Sequence, residues 1–203
     1  MEIRDTYKTL AFPSEEILFK EKSSKFFGFA FPVTSETAIK EILDNLKKQH
    51  SSARHWCYAW QIGTEKLQFR ANDDGEPSNS AGMPIYGQIQ SFEITNVLIV
   101  VIRYFGGIKL GVGGLISAYK TAAQMALEAS EIIEKTIDIH YIITFDYKNI
   151  NKVMRIVKEK NLNIIAQTME DNCIIELATR KKNAETIFEI FNSMFEIEIK
   201  TKE

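Results

Sequence analysis

From Val97 onward the chain runs from a strand through a turn crowded with glycine into a helix, and this junction restricts the possible fold more than anything else in the sequence. "ITNVLIVVIRYF" carries a run of six apolar residues, Val97 to Ile102, rich in β-branched side chains. Such a run is a strand buried on both faces. Gly106, Gly107, Gly111, Gly113 and Gly114 follow, five of the ten glycines in the chain. From about Leu115 to Ser130, Ala118, Ala122, Ala123, Ala126 and Ala129 mark a helix with small side chains, able to lie close on a sheet. Glycine loses more conformational entropy on folding than any other residue, so clustering half the supply in one turn needs a reason.

One reason is a ligand. The first four N–H groups of a helix have no internal partner and carry a partial positive charge, and glycine lets an anion approach them without a Cβ in the way. The charges agree: Arg103, Lys109 and Lys120 lie between Glu93 and Glu128 with no acid among them. The candidate anion or nucleic-acid site is therefore Arg103, Gly106, Gly107, Lys109, Gly111, Gly113, Gly114 and Lys120. The alternative is that the glycines supply positive φ angles and tight helix–sheet packing. Neither a Walker loop nor a dinucleotide-binding G-x-G-x-x-G is present.

A second constellation is "NDDGEPSNSAGMP", inside a turn-rich loop over residues 71–84. Asp73, Asp74 and Glu76 offer three carboxylates in four residues, a set that can hold Mg²⁺ against a phosphate. The preferred reading is a rigid turn whose carboxylates cap the next helix or pair with Lys109 or Arg103. No EF-hand register fits, and no metal or cofactor is required. His55 and Cys57, two apart on a strand, share a face, but a thiol in an apolar strand is usually inert packing. His50 and His140 have no evident partner, and no residue has the setting of a general base.

Elsewhere, strands are expected near 16–20 and 26–33, a helix near 36–49 and a strand in "SSARHWCYAW". The last third alternates and then turns helical. "IDIHYIITF" is a strand, Ile150, Val153, Met154 and Val157 form a helix stripe, and strands near 162–168 and 173–179 flank the turn "MEDN". Ala184, Ile187, Phe188 and Phe191 form another helix stripe, and "FEIEIK" closes the order β-α-β-β-α-β of a ferredoxin-like unit. The chain thus reads as α+β in two domains, 1–135 and 136–203, parting near "EKTID". A formal net charge of −2 excludes a global basic field, so any nucleic-acid contact is a local patch. Two distant cysteines suit a reducing cytoplasm, and no apolar run is long enough for a membrane span or a signal segment.

Taken together, "SSKFFGFA", "ARHWCYAW", "DDGEPSNSAGMPI" and "NVLIVVIRYFGGIKLGVGGLISAY" resemble the YigZ/IMPACT family over nearly the whole chain. The resemblance implies a first domain of the ribosomal-protein/GHMP-kinase type and a ferredoxin-like second domain similar to elongation-factor domains. It also implies a translation-linked role with RNA or ribosome association. Eukaryotic members regulate a translation kinase through an added RWD domain. About fifteen residues precede the first expected strand here, so no RWD-type partner interaction is expected. The family often reads Gly-Thr where this chain has Asn79-Ser80. A non-enzymatic binder is preferred, and the alternative is a Mg-dependent phosphoryl-handling enzyme built from the acidic and glycine loops.

Overall fold

The computed structural model describes residues 5–170 and 172–202. Two compact units divide the chain. One is Tyr7–Lys135, and the other runs from Thr136 onward and takes in the N-terminal residues through Thr6.

The first unit is built on an antiparallel five-stranded sheet in the order β2-β3-β6-β4-β5. Its strands are β2 (Ile17–Glu21), β3 (Ser24–Pro32), β4 (His55–Ile62), β5 (Gln68–Asn72) and β6 (Val97–Tyr104). The central strand β6 explains its own composition. Val97, Ile99 and Val101 face one core with Phe26, Cys57 and Ala59, while Leu98, Val100 and Ile102 face another with Phe29 and Trp60. Helix α1 (Glu36–Gln49) covers the second face through Ile39 and Leu46. Helices α2 (Gly82–Ser91) and α3 (Gly111–Glu128) cover the first. The alanine stripe of α3 works as its small side chains suggest. A Cβ at Gly28 of β3 would stand 2.8 Å from the Ala122 carbonyl oxygen, so helix and sheet are in direct backbone contact.

Besides a short 3-10 turn at Tyr147–Asn149, four elements are absent from the sequence reading: β1 (Thr6–Leu10), β5, α2 and β7 (Ile132–Thr136). The first strand begins at Thr6 rather than near residue 16, and β1 pairs with β7 in a separate two-stranded sheet. Much of the expected 71–84 loop is loop, but β5 enters it and α2 leaves it. Helix α3 starts at Gly111, four residues earlier than expected, so three of the glycines lie inside its first turn.

The second unit follows the β-α-β-β-α-β order read from the sequence. Its elements are β8 (Asp138–Asp146), α4 (Ile150–Glu159), β9 (Asn163–Thr168), β10 (Asn172–Arg180), α5 (Lys181–Asn192) and β11 (Ile197–Thr201). The "MEDN" turn includes Asp171, which lies outside the described residues. The sheet order is β11-β8-β10-β9. Tyr141, Ile143, Phe145, Cys173, Ile175 and Leu177 meet Val153, Val157, Ile187 and Phe191 of the helices. Arg180 anchors the start of the chain here through Asp5, 2.9 Å from Nη2. Among the described residues no helix is long and apolar enough to cross a membrane.

Candidate functional site

The acidic loop leaves β5 in a tight, left-handed path. Asp74, Gly75 and Asn79 have φ of 41°, 85° and 60°. The Asn72 side chain accepts the Asp74 N–H at 2.7 Å, the local bond that lets Asn start such turns. Each carboxylate then goes its own way. Asp73 Oδ1 accepts from Ala81 N and Gly82 N at 3.0 and 2.8 Å, and its Oδ2 accepts from Asn79 N at 2.8 Å. This caps α2, which has no capping side chain of its own. Asp74 Oδ2 accepts the Trp56 N–H at 2.7 Å. Glu76, with its side chain only 4% exposed, accepts from Arg103 Nη1 at 2.7 Å and from the Tyr119 hydroxyl at 2.8 Å. The same three residues are the set the sequence offered for Mg²⁺. The three carboxylates diverge, each satisfied by protein donors, and among the described residues no group of three His, Cys, Asp or Glu is placed to hold a metal.

The departure at Asn79-Ser80 also acquires a reason. Position 79 sits at positive φ, where Gly and Asn are the residues that fit, and the buried Ser80 hydroxyl donates to the Pro77 carbonyl at 2.6 Å.

Arg103 belongs to this inner network and not to an open anion surface. It is 5% exposed, its charge is met by Glu76, and Nη2 reaches Ser24 Oγ at 3.5 Å. An expected phosphate cation is thus neutralised inside the protein. The acidic and glycine motifs do meet, but at Glu76, Arg103 and Tyr119. Exposed Lys109 has no ion-pair partner among the described residues and is not joined to Asp73 or Asp74. Tyr119 escaped the sequence reading, although its place on the alanine stripe of α3 was a signal: a buried phenol needs a polar partner.

The His55/Cys57 pair shares a face, as expected, without forming a nucleophile. His55 Nδ1 donates to the Asp74 carbonyl at 2.9 Å, and the thiol donates to the Asp73 carbonyl at 3.0 Å. Burial holds the Cys57 thiol far above its ordinary pKa, with smaller contributions from the nearby carboxylates. Burial does the same to the Tyr119 phenol, reinforced by Cys57 and Glu76. Both stay protonated at neutral pH. His50 and His140, partnerless in the sequence, lie 3.1 Å from the Tyr104 hydroxyl and from Glu176.

The glycines of the tract separate by cause. Gly107 and Gly111 have φ of 89° and 74° and are needed for conformation. A Cβ on Gly106 would collide with the Ser23 carbonyl, and one on Gly114 would press on Leu110 Cβ at 3.1 Å. Gly113 has neither excuse: its φ is not positive and a Cβ there would meet nothing within 4 Å. It opens on solvent in the first turn of α3, a helix end with no capping side chain and no acid. Exposed Lys109 precedes it in the turn, and exposed Lys120 follows about two turns later in α3. Lys22 is an addition the sequence reading missed. It sits in the two-residue turn Lys22-Ser23, with φ of 43° and 67°, between β2 and β3, and this turn packs on Gly106.

The Impact N-terminal domain model matches residues 22–127, from that turn to the end of α3, and so takes in both loops. An IMPACT family member of Haemophilus influenzae is 32% identical over 180 residues, covering 85% of this chain and 86% of its own. The IMPACT family member YvyE of Bacillus subtilis is 32% identical over 184 residues, covering 91% and 84%. A solved crystal structure of a hypothetical protein is similar along 99% of both chains, with a TM-score of 0.73 at 25% identity.

Proposed function

Because this chain belongs to the IMPACT family, we propose that it is a non-enzymatic, translation-linked regulator that engages RNA or the ribosome through the glycine/lysine tract. The translational link comes with the family resemblance.

The observation that carries it is the contrast between two helix starts on one face of one sheet. The N-terminus of α2 is closed by Asp73, whereas that of α3 has no acid or capping side chain and carries a glycine at position 113 that neither φ nor packing requires. A phosphate group supplies the missing acceptor. Lys109 and Lys120 add charge that nothing in the protein neutralises among the described residues. The binding surface is therefore Gly107, Lys109, Gly111, Gly113 and Lys120, with Arg103 and Gly106 beneath it as support. The strand order β11-β8-β10-β9 supports a ferredoxin-like reading of the second unit, and the likeness of the first unit to ribosomal-protein and GHMP-kinase domains belongs to the same proposal.

Gly113→Ala tests this reading. Ala is the better helix former, so thermal melts should show stability unchanged or higher by up to about 1 kcal/mol. In a polarisation titration with labelled RNA, the variant should bind several-fold more weakly, because the methyl blocks the approach of a phosphate. Equal RNA affinity in the two proteins would refute the assignment.

A further inference from the structure

The buried Arg103 has one contact that phosphate binding leaves unused. Its guanidinium lies close to two phenyl rings, with Cζ 5.5 Å from the centroid of Phe26 and 5.5 Å from that of Phe105. Phe26 is wholly buried, whereas Phe105 is 48% exposed. Glu76 and Ser24 fix the guanidinium from the side. Phe105 is therefore backed by an immobilised planar cation and presents ring surface to solvent. Phe105 belongs to none of the hydrophobic cores.

The tract that follows it in sequence is mixed in a particular way. Ile108, Val112 and Ile116 are also exposed, and Val112, Ile116 and Lys120 succeed one another at i, i+4 and i+8 on one side of α3. Lys22, Lys109 and Lys120 have no ion-pair partner among the described residues. From Ile94 to Leu127 there is no acid, and Glu21 is the acid of the adjoining turn. Apolar surface interleaved with uncompensated lysines suits a polyanion that also carries exposed apolar faces. A duplex has the phosphates but keeps its base faces stacked on one another, and would leave these side chains wet. A single strand offers both.

We infer that Phe105 is a stacking platform for an unpaired base of single-stranded RNA, whose backbone runs past Lys109 and Lys120. The inference rests on the RNA reading above and narrows it to single strands. The Glu76–Arg103 pair then serves as the rigid footing of Phe105.

The test uses a labelled oligoadenylate of about twelve nucleotides and the same strand annealed to its complement, a length within the range such surfaces cover. The wild type should bind the single strand more tightly than the duplex at the same salt. Phe105→Leu keeps the apolar bulk and removes the π face. It should weaken single-strand binding by roughly five- to a hundredfold, the range of one lost base stack, while duplex affinity stays as it was. Phe105→Trp should retain single-strand binding and show indole quenching when RNA is added, which checks the contact in a folded protein. Equal losses on both forms, no loss on either, or unquenched indole at saturation would each overturn the inference and leave the apolar side chains to a protein partner. If the wild type binds neither form at low salt, the RNA reading itself has failed, and that outcome is distinct from the others.

Discussion

Glu76 and Arg103 are the residues on which folding and the site depend together. Both are almost completely buried and joined at 2.7 Å, so removing either strips the other of its close ion-pair partner in a dry place, leaving Glu76 only the Tyr119 hydroxyl and His55 at 4.0 Å. Glu76→Gln or Arg103→Met should each cost about 3–5 kcal/mol in urea denaturation. The double variant should cost clearly less than the sum, because it leaves no orphan charge. Additive losses would mean that the pair is not coupled. Gly106→Ala should be costly too, by about 1–3 kcal/mol of overpacking against Ser23, whereas Gly113→Ala costs nothing. Cys57 and Tyr119 add a pH dependence whose sign is fixed by burial. The fold keeps both neutral, while the unfolded chain loses those protons near their ordinary values, about 8.5 for a thiol and about 10 for a phenol. Stability is full below that range and falls as pH rises through it. Urea midpoints at about pH 7.5 and 10 should drop in the wild type and drop less in Cys57→Ala. An identical drop in both would remove Cys57 from the explanation.

At the scale of elements, α2 and α3 show what a sequence reveals and what it hides. The β6 strand, the alanine face of α3 and the whole alternation of the second unit were legible, because burial imposes a period on apolar residues. Helix α2 was not. Its sequence, "GMPIYGQIQS", opens with glycine and proline and carries no capping residue, since the cap comes from Asp73 nine residues before Gly82. That is a tertiary substitute for a local signal. Strand β5 was hidden for a similar reason: Gln68 to Arg70 are exposed at a sheet edge and show no apolar alternation. The candidate site was half legible. The glycines, Lys109 and Lys120 stood out in the sequence, and so did a pairing of the acidic loop with Arg103, which Glu76 makes. The burial of that pair and the share of Tyr119 in it depend on contacts that only folding brings near. Asp73→Ala should cost about 1–2 kcal/mol by uncapping α2, and Asp73→Asn, which keeps one acceptor, should recover part of that. Circular dichroism melts of the two variants check this ordering, and equal losses would contradict the capping role.

At the scale of the whole molecule, a net charge of −2 means that the protein as a body does not attract nucleic acid. Whatever binds must do so through the few cations that the fold leaves uncompensated, and Arg103 is no longer among them. Two remain in the tract, Lys109 and Lys120. Two lysines allow two phosphate contacts, and salt dependence counts such contacts. Single-stranded RNA affinity should be measured by polarisation across a salt series for the wild type and Lys109→Ala. Two contacts on a single strand predict that log affinity falls against log salt with a slope of roughly −1.4, and the variant should be shallower by about 0.7. A slope near zero, a slope unchanged by removing Lys109, or no binding at low salt would contradict the account.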